Sequence, residues 1–311
     1  MAVRTPAAAR TRTRSTAESK TAFLVLLLPA ILLETAVFFL PMVYVFVQSF
    51  FDWQPGFDSA FIGVENYAVL FTSADFWQVV GNQLFYLLGV PVFVFAPLVV
   101  GFALREKVPA SGFFRSVYFL PAVMSPAIVG LVFRTLFATD GPLNAVIVGL
   151  GGAPVGWLTD SAIVKPVIVL LVLWAGFGTG VLIFSAAFSA VPSSQFEAAR
   201  LDGVGFWGEF WHIAIPSVRP TISFWTMFQI VSLFLFMFGW VYVLTGGGPG
   251  LASATMDFSI YQTFMRFGFF GQAAAQSVVL ILLIVASAAL VGLVQLPRAI
   301  RGRRAVEGGV R

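Results

Sequence analysis

Pro192-Ser-Ser-Gln-Phe-Glu-Ala-Ala-Arg-Leu-Asp-Gly203, continuing to Trp211-His-Ile-Ala-Ile-Pro216, is the most polar stretch between the long apolar runs of this chain. It reads as a short helix. Ser194 suits an N-cap, and Glu197 three residues later completes the pattern of a capping box. Ala198, Ala199, Arg200 and Leu201 are strong helix formers, and Gly203 stands where a C′ glycine ends a helix. Two turns of helix do not hold alone in water, so a surface must support them. Lipid cannot, because Glu197, Arg200 and Asp202 are too polar. A second protein can.

Composition sets the class around that stretch. Of 311 residues, 59% are hydrophobic and only 10% charged, against about 25% charged in a soluble domain. Mean hydropathy is +0.93. The chain therefore reads as one integral, polytopic membrane domain. It has no cysteine, which excludes a disulfide framework, a thiolate nucleophile and a Cys-ligated metal. Its single histidine, His212, excludes a His-paired site. An intramembrane enzyme would need clustered His, Asp or Cys at depth, and the apolar runs hold almost none.

Residues 1–20 carry Arg4, Arg10, Arg12, Arg14 and Lys20 among Ala, Thr and Ser, a composition that predicts a disordered tail. The apolar run Phe23–Phe51 exceeds a signal-peptide core of about 7–15 residues and reads as a membrane span. Further runs of about 20 apolar residues lie near Val79–Leu104, Val117–Phe137, Pro166–Ala190, Ile222–Leu244 and Ala273–Leu296. The expectation is an all-α membrane protein with six transmembrane helices over 21–297 and a basic tail over 298–311.

With the N-terminus in the cytoplasm, only Arg134, Lys165 and Arg266 of the 18 basic residues face outward. The outward segments hold Asp52, Asp58, Glu65, Asp75, Asp140, Asp160 and Asp257. The positive-inside rule then puts both termini in the cytoplasm. The polar loop 191–216 lies there too, where a short helix can meet a cytoplasmic partner.

At this point Glu197-Ala-Ala-Arg-Leu-Asp-Gly203, with Phe210 and Ile213-Ala-Ile-Pro216, resembles the EAA loop of permease subunits of binding-protein-dependent ABC importers. Ile215 replaces the leucine usual in that family. Ser49-Phe-Phe-Asp-Trp53, Phe61-Ile-Gly-Val-Glu-Asn-Tyr67, Tyr118-Phe-Leu-Pro121 with Ser125-Pro126, and Thr245-Gly-Gly-Gly-Pro249 resemble the carbohydrate-uptake branch. The resemblance spans about residues 23–296 and implies a type I importer permease fold in a bacterial cell membrane.

It also implies partners: a second, homologous permease, two copies of a cytoplasmic ABC ATPase, and an extracytoplasmic solute-binding protein. Glu197, Ala198, Ala199, Asp202 and Gly203 would couple this chain to the ATPase, with Ala198 and Ala199 forming a flat docking face. The competing reading gives Glu197 only a capping role. The chain has no Walker-type sequence, so ATP and Mg belong to the ATPase and no cofactor is expected here. No nucleic-acid partner is expected either. Gly246-Gly-Gly-Pro249 reads as a tight turn, or as a contact for the binding protein.

Polar and aromatic residues inside the spans are the guide to the solute. Trp174, Gly176, Thr179 and Gln229, with Ser232 one turn on, are the candidates for a substrate path. Helix–helix packing is the alternative for each. Glu34, within the first span, departs from the family pattern and would face protein, a cavity or a partner, or be protonated. Arg134 reads as an interfacial anchor. The main alternative function is a proton- or ion-coupled secondary carrier, but paired interrupted repeats and an intramembrane relay are missing from the sequence.

Overall fold

The computed structural model describes residues 16–105, 117 and 120–308, with side chains of 16–24 and 293–308 excepted. Residues 1–48 and 49–311 form two units, taken separately.

In the first unit, α1 (Thr16–Glu34) passes through a π-turn (Thr35–Phe39) into α2 (Leu40–Gln48). Val25–Gln48 is long and apolar enough to cross a membrane, and none of it is buried. Glu34 sits at the helix-to-π junction, exposed, with no partner among the described residues.

The second unit opens with a two-stranded ribbon, β1 (Phe51–Asp52) and β2 (Ala60–Phe61), antiparallel with Phe51 opposite Phe61. Asn66 Nδ2 donates to the carbonyls of Ser49 and Phe51, both at 2.9 Å, so the family-like Ser49–Trp53 and Phe61–Tyr67 segments brace one another. The helices that follow are α3 (Glu65–Thr72), α4 (Ala74–Leu87), α5 (Val90–Ala103), α6 (Pro126–Leu136), α7 (Pro142–Gly149) and α8 (Val164–Ser189). Next come α9 (Ser193–Leu201), α10 (Phe206–Glu209), a π-turn (Phe210–Ala214) and α11 (Ile215–Ser217). The chain ends with α12 (Arg219–Leu235), α13 (Phe238–Leu244), α14 (Met256–Tyr261), a π-turn (Gln262–Arg266) and α15 (Phe270–Gly308).

Among the described residues four segments qualify as membrane spans by length and hydropathy: Val25–Gln48, Ala74–Ala103, Val164–Ser189 and Phe270–Gly292. A fifth arises if the pair Phe206–Ser217 and Arg219–Leu235, bent by 79°, is one span. Pro216 and Pro220 flank that bend at Val218, where the ring of proline removes backbone donors. The expected third span is represented by the 11-residue α6, and part of its beginning lies outside the described residues. The expected continuous helix Ile222–Leu244 is corrected: it breaks at Phe236–Met237. The half-buried Asp257 carboxylate accepts the Phe238 backbone N–H at 2.6 Å, which caps the new N-terminus of α13 and stabilises the break.

Three helices meet at two glycines. A Cβ on Gly101 (α5) would stand 2.9 Å from Phe184 Cβ (α8), and one on Gly180 (α8) 2.8 Å from Pro97 Cβ (α5) and 3.1 Å from Trp225 (α12). Small residues let backbones approach in this way. Trp225 Nε1 also donates to the Phe93 carbonyl at 3.2 Å, tying α12 to α5.

Candidate functional site

The polar loop forms α9 as expected, but its start differs. Pro192, with ψ 128°, is the N-cap, and no side chain caps the helix. Ser194 therefore already has helical backbone, and a Ser194–Glu197 capping box does not form. The fixed φ of Pro192 sets the entry point two residues early. Glu197 is left exposed with no hydrogen-bond or ion-pair partner among the described residues.

The stop is as the glycine suggested. Gly203 has φ +77°. Its N–H donates to the Arg200 carbonyl and the Val204 N–H to the Ala199 carbonyl, both at 3.0 Å, which is a Schellman closure. Phe196 and Ala199 face the protein interior, whereas Glu197, Ala198, Leu201 and Asp202 face out. The expected flat Ala198–Ala199 face is thus corrected: with a 100° turn per residue, only Ala198 points outward. Leu201, 90% exposed, is the outward apolar residue instead.

What holds α9 was not anticipated. Glu209, 3% exposed, accepts from Arg105 Nη2 at 2.6 Å and from Arg200 Nε at 2.7 Å. The Arg105 guanidinium also stacks 3.7 Å from the Phe196 ring centroid and 4.3 Å from that of Phe102. Burial pushes the Glu209 carboxyl up, but the hydrogen bonds and charges of Arg200 and Arg105 outweigh it and hold the group below its ordinary value. The one signal in the sequence is a lone carboxylate among Phe206, Trp207, Phe210 and Trp211.

A second feature lies where α12 breaks. A cavity of about 250 Å³ is walled by Gly176 and Thr179 of α8, Gln229 and Ser232 of α12, and Pro121 and Pro126 around the start of α6. Met237 and Trp240 close it at the break. Irregular backbone at membrane depth is tolerated where it lines a cavity. The structure brings together Gly176, Thr179, Gln229 and Ser232. It does not bring Trp174 there: that side chain, two residues and about 200° from Gly176, packs edge-on against Phe133 at 5.3 Å. The Ser232 hydroxyl oxygen is buried without a partner. Thr179 and Gln229 also have no side-chain partner among the described residues, which departs from the packing alternative for Gln229.

The Thr245–Thr255 segment is the opposite case. Gly246, Gly247 and Gly250 take positive φ, so the cluster is a tight turn. Asn82 Nδ2 donates to the carbonyls of Leu251 and Ala254 (2.7 and 3.0 Å), and Tyr86 Oη to that of Ser253 (3.1 Å). Ser253 Oγ donates to the Gly248 carbonyl at 2.7 Å. Gln83 bridges the Leu233 carbonyl and the Met256 N–H at 2.8 and 3.3 Å.

A multi-helix apolar fold, broken around a mostly apolar cavity that holds Thr179, Gln229 and Ser232 and carrying an outward-facing polar helix, is that of a membrane permease. Residues 78–298 match the family described as the binding-protein-dependent transport system inner membrane component, and the chain belongs to that family. It is 32% identical over 263 residues to the lactose transport system permease protein LacF of Rhizobium radiobacter, covering 82% of this chain and 88% of that one. It is 31% identical over 258 residues to the arabinooligosaccharides transport system permease protein AraP of Bacillus subtilis, covering 81% and 82%. In fold it is similar to a chain of a bacterial alginate ABC transporter, with TM-score 0.78 and 18% identity, covering 89% of this chain and 95% of that one. The protein is thus a multi-pass inner-membrane permease component of a binding-protein-dependent ABC importer, a transporter subunit and not an enzyme.

Proposed function

We propose that this permease carries a sugar or sugar-like solute, delivered by its binding protein, through a path that includes the Gly176–Thr179–Gln229–Ser232 cavity. The relatives named for lactose and arabino-oligosaccharides support the solute class. The observation that carries the path is chemical. The Gln229 amide and the Thr179 hydroxyl, both half-buried, face a hollow between apolar helices without side-chain partners among the described residues. The Ser232 hydroxyl beside them is buried without one, where buried polar groups are ordinarily bonded. Hydroxyls of a carbohydrate supply donors and acceptors for the amide and the Thr179 hydroxyl.

The assembly would contain a second homologous permease and two copies of the ATPase, which holds ATP and Mg. Glu197, Ala198, Leu201, Asp202 and Gly203 form the coupling contact. Ala199 supports it from behind, since Glu197 has no internal bond to break on docking. The test is reconstitution with binding protein and ATPase against a panel of sugars, with ATP hydrolysis and uptake both measured. Uptake that is abolished by vanadate and by Glu197→Ala, with this permease still inserted, is expected. Uptake that survives vanadate and collapses with the proton gradient would overturn the reading in favour of a secondary carrier.

A further inference from the structure

Arg105 directly follows Leu104, the C-cap of α5, and its partner Glu209 lies 104 positions along the chain. Between them they clasp α9: Glu209 takes Arg200 on one side and Arg105 on the other, while Phe196 of α9 lies under the Arg105 guanidinium. The Arg105 and Glu209 side chains are 11% and 3% exposed. Arg105 meets Glu209 through Nη2, and an ion pair this little exposed holds one geometry, because losing either partner strands a charge away from water.

The clasp continues into the cavity walls. From Arg105 inward, α5 meets α8 at Gly101, where Ser185 Oγ donates to the Gly101 carbonyl at 3.4 Å. About one turn further along α5, Gly180 contacts Pro97 and Trp225. Thr179 is adjacent to Gly180 in α8, and Gln229 lies one turn beyond Trp225 in α12. A displacement of α9 that keeps the ion pair intact therefore has to carry the end of α5, and with it the two helices that line the cavity.

We propose that Arg105 and Glu209 are positioning residues that join the outward-facing helix α9 to the cytoplasmic end of α5, so that movement imposed on α9 by a partner ATPase reaches the Thr179–Gln229 cavity. This rests on the proposed coupling role of α9, and it assigns the transmission to residues outside the EAA stretch. Arg200, 49% exposed on its side chain, contributes the weaker arm.

The test uses the full complex in nanodiscs, with ATPase activity read with and without binding protein and solute. Glu209→Gln and Arg105→Met should leave subunit stoichiometry intact and lower the stimulation ratio about 5-fold or more, the lower bound of ordinary coupling effects. Arg105→Lys, which keeps charge but loses the guanidinium plane over Phe196 and Phe102, should fall in between and answers for a variant that fails to assemble. Because the chain has no cysteine, spin labels at Leu201→Cys and Thr179→Cys are unique within it. The ATP-dependent change in their separation should shrink in Arg105→Lys. A stimulation ratio and label movement equal to wild type in Arg105→Lys and Glu209→Gln would overturn the proposal. Lack of any stimulation in the wild-type complex would instead overturn the coupling reading beneath it.

Discussion

Two glutamines in apolar helices meet opposite fates. Gln83 of α4 is fully buried and uses both ends of its amide to hold the Leu233 carbonyl and the Met256 N–H. Gln229 of α12 faces a cavity with Ser232 and bonds to nothing described in the protein. The first belongs to a network that fastens the glycine-rich Thr245–Thr255 turn to α4. The second belongs to a wall. Residue type alone does not separate a fastener from a binding group; the presence of an internal partner does.

The contrast can be broken by the same substitution at both places. Gln83→Leu strands a backbone carbonyl and an amide and should destabilise the solubilised complex by about 3 kcal/mol, seen as a lower thermal midpoint. A change below about 0.5 kcal/mol would show that the network fastens nothing. Gly180→Val is expected next, at about 1–3 kcal/mol, because its Cβ would crowd Pro97. Gly176→Val, where a Cβ meets nothing within 4 Å, should spare stability and reduce uptake by narrowing the cavity.

Gln229→Leu should leave the thermal midpoint nearly unchanged yet cut uptake about tenfold, the loss of one good hydrogen bond to solute. If stability falls instead, Gln229 is a fastener after all. Ser232→Ala removes a buried oxygen without a partner and should stabilise by about 1 kcal/mol.

The smallest effect tests the Glu209 cluster by pH. Its carboxyl is held below the usual value of about 4.3, so the folded state binds that proton less readily than the unfolded one. Its contribution is complete above that value and lost as pH falls through the lower folded value. Thermal midpoints between pH 6 and 8 should not move on its account, and Glu209→Gln should flatten the acid limb below pH ~4.

How far the sequence reached depends on the range of each interaction. Spans and the Gly203 stop are local: apolar length, and a residue that tolerates φ +77°. Gly176, Thr179 and Gln229 share one cavity, and they stand out in the sequence because a polar or absent side chain is rare in an apolar run. Trp174 lies outside that cavity because helical phase, not identity, decides which wall a residue faces. The capping box failed on a single dihedral at Pro192. Arg105 and Glu209 are illegible as a pair, since nothing local links positions 104 apart, and in the sequence Arg105 is only one of the basic residues that do not face outward. Asn82 and Gln83 obey the same rule as Gln229 and were passed over within the second span.

Leu201 has a cost for the cell. With 90% of its surface in the open at the end of α9, and with Trp207 and Trp211 also about half exposed, a freshly inserted subunit on the proposed topology displays apolar side chains to the cytosol until a partner covers them. Exposed apolar side chains of this kind are what proteases and chaperones sort on. The lifetime of the newly made permease should then follow the supply of its ATPase, and Leu201→Ser should lengthen the life of the orphan subunit while weakening the finished assembly.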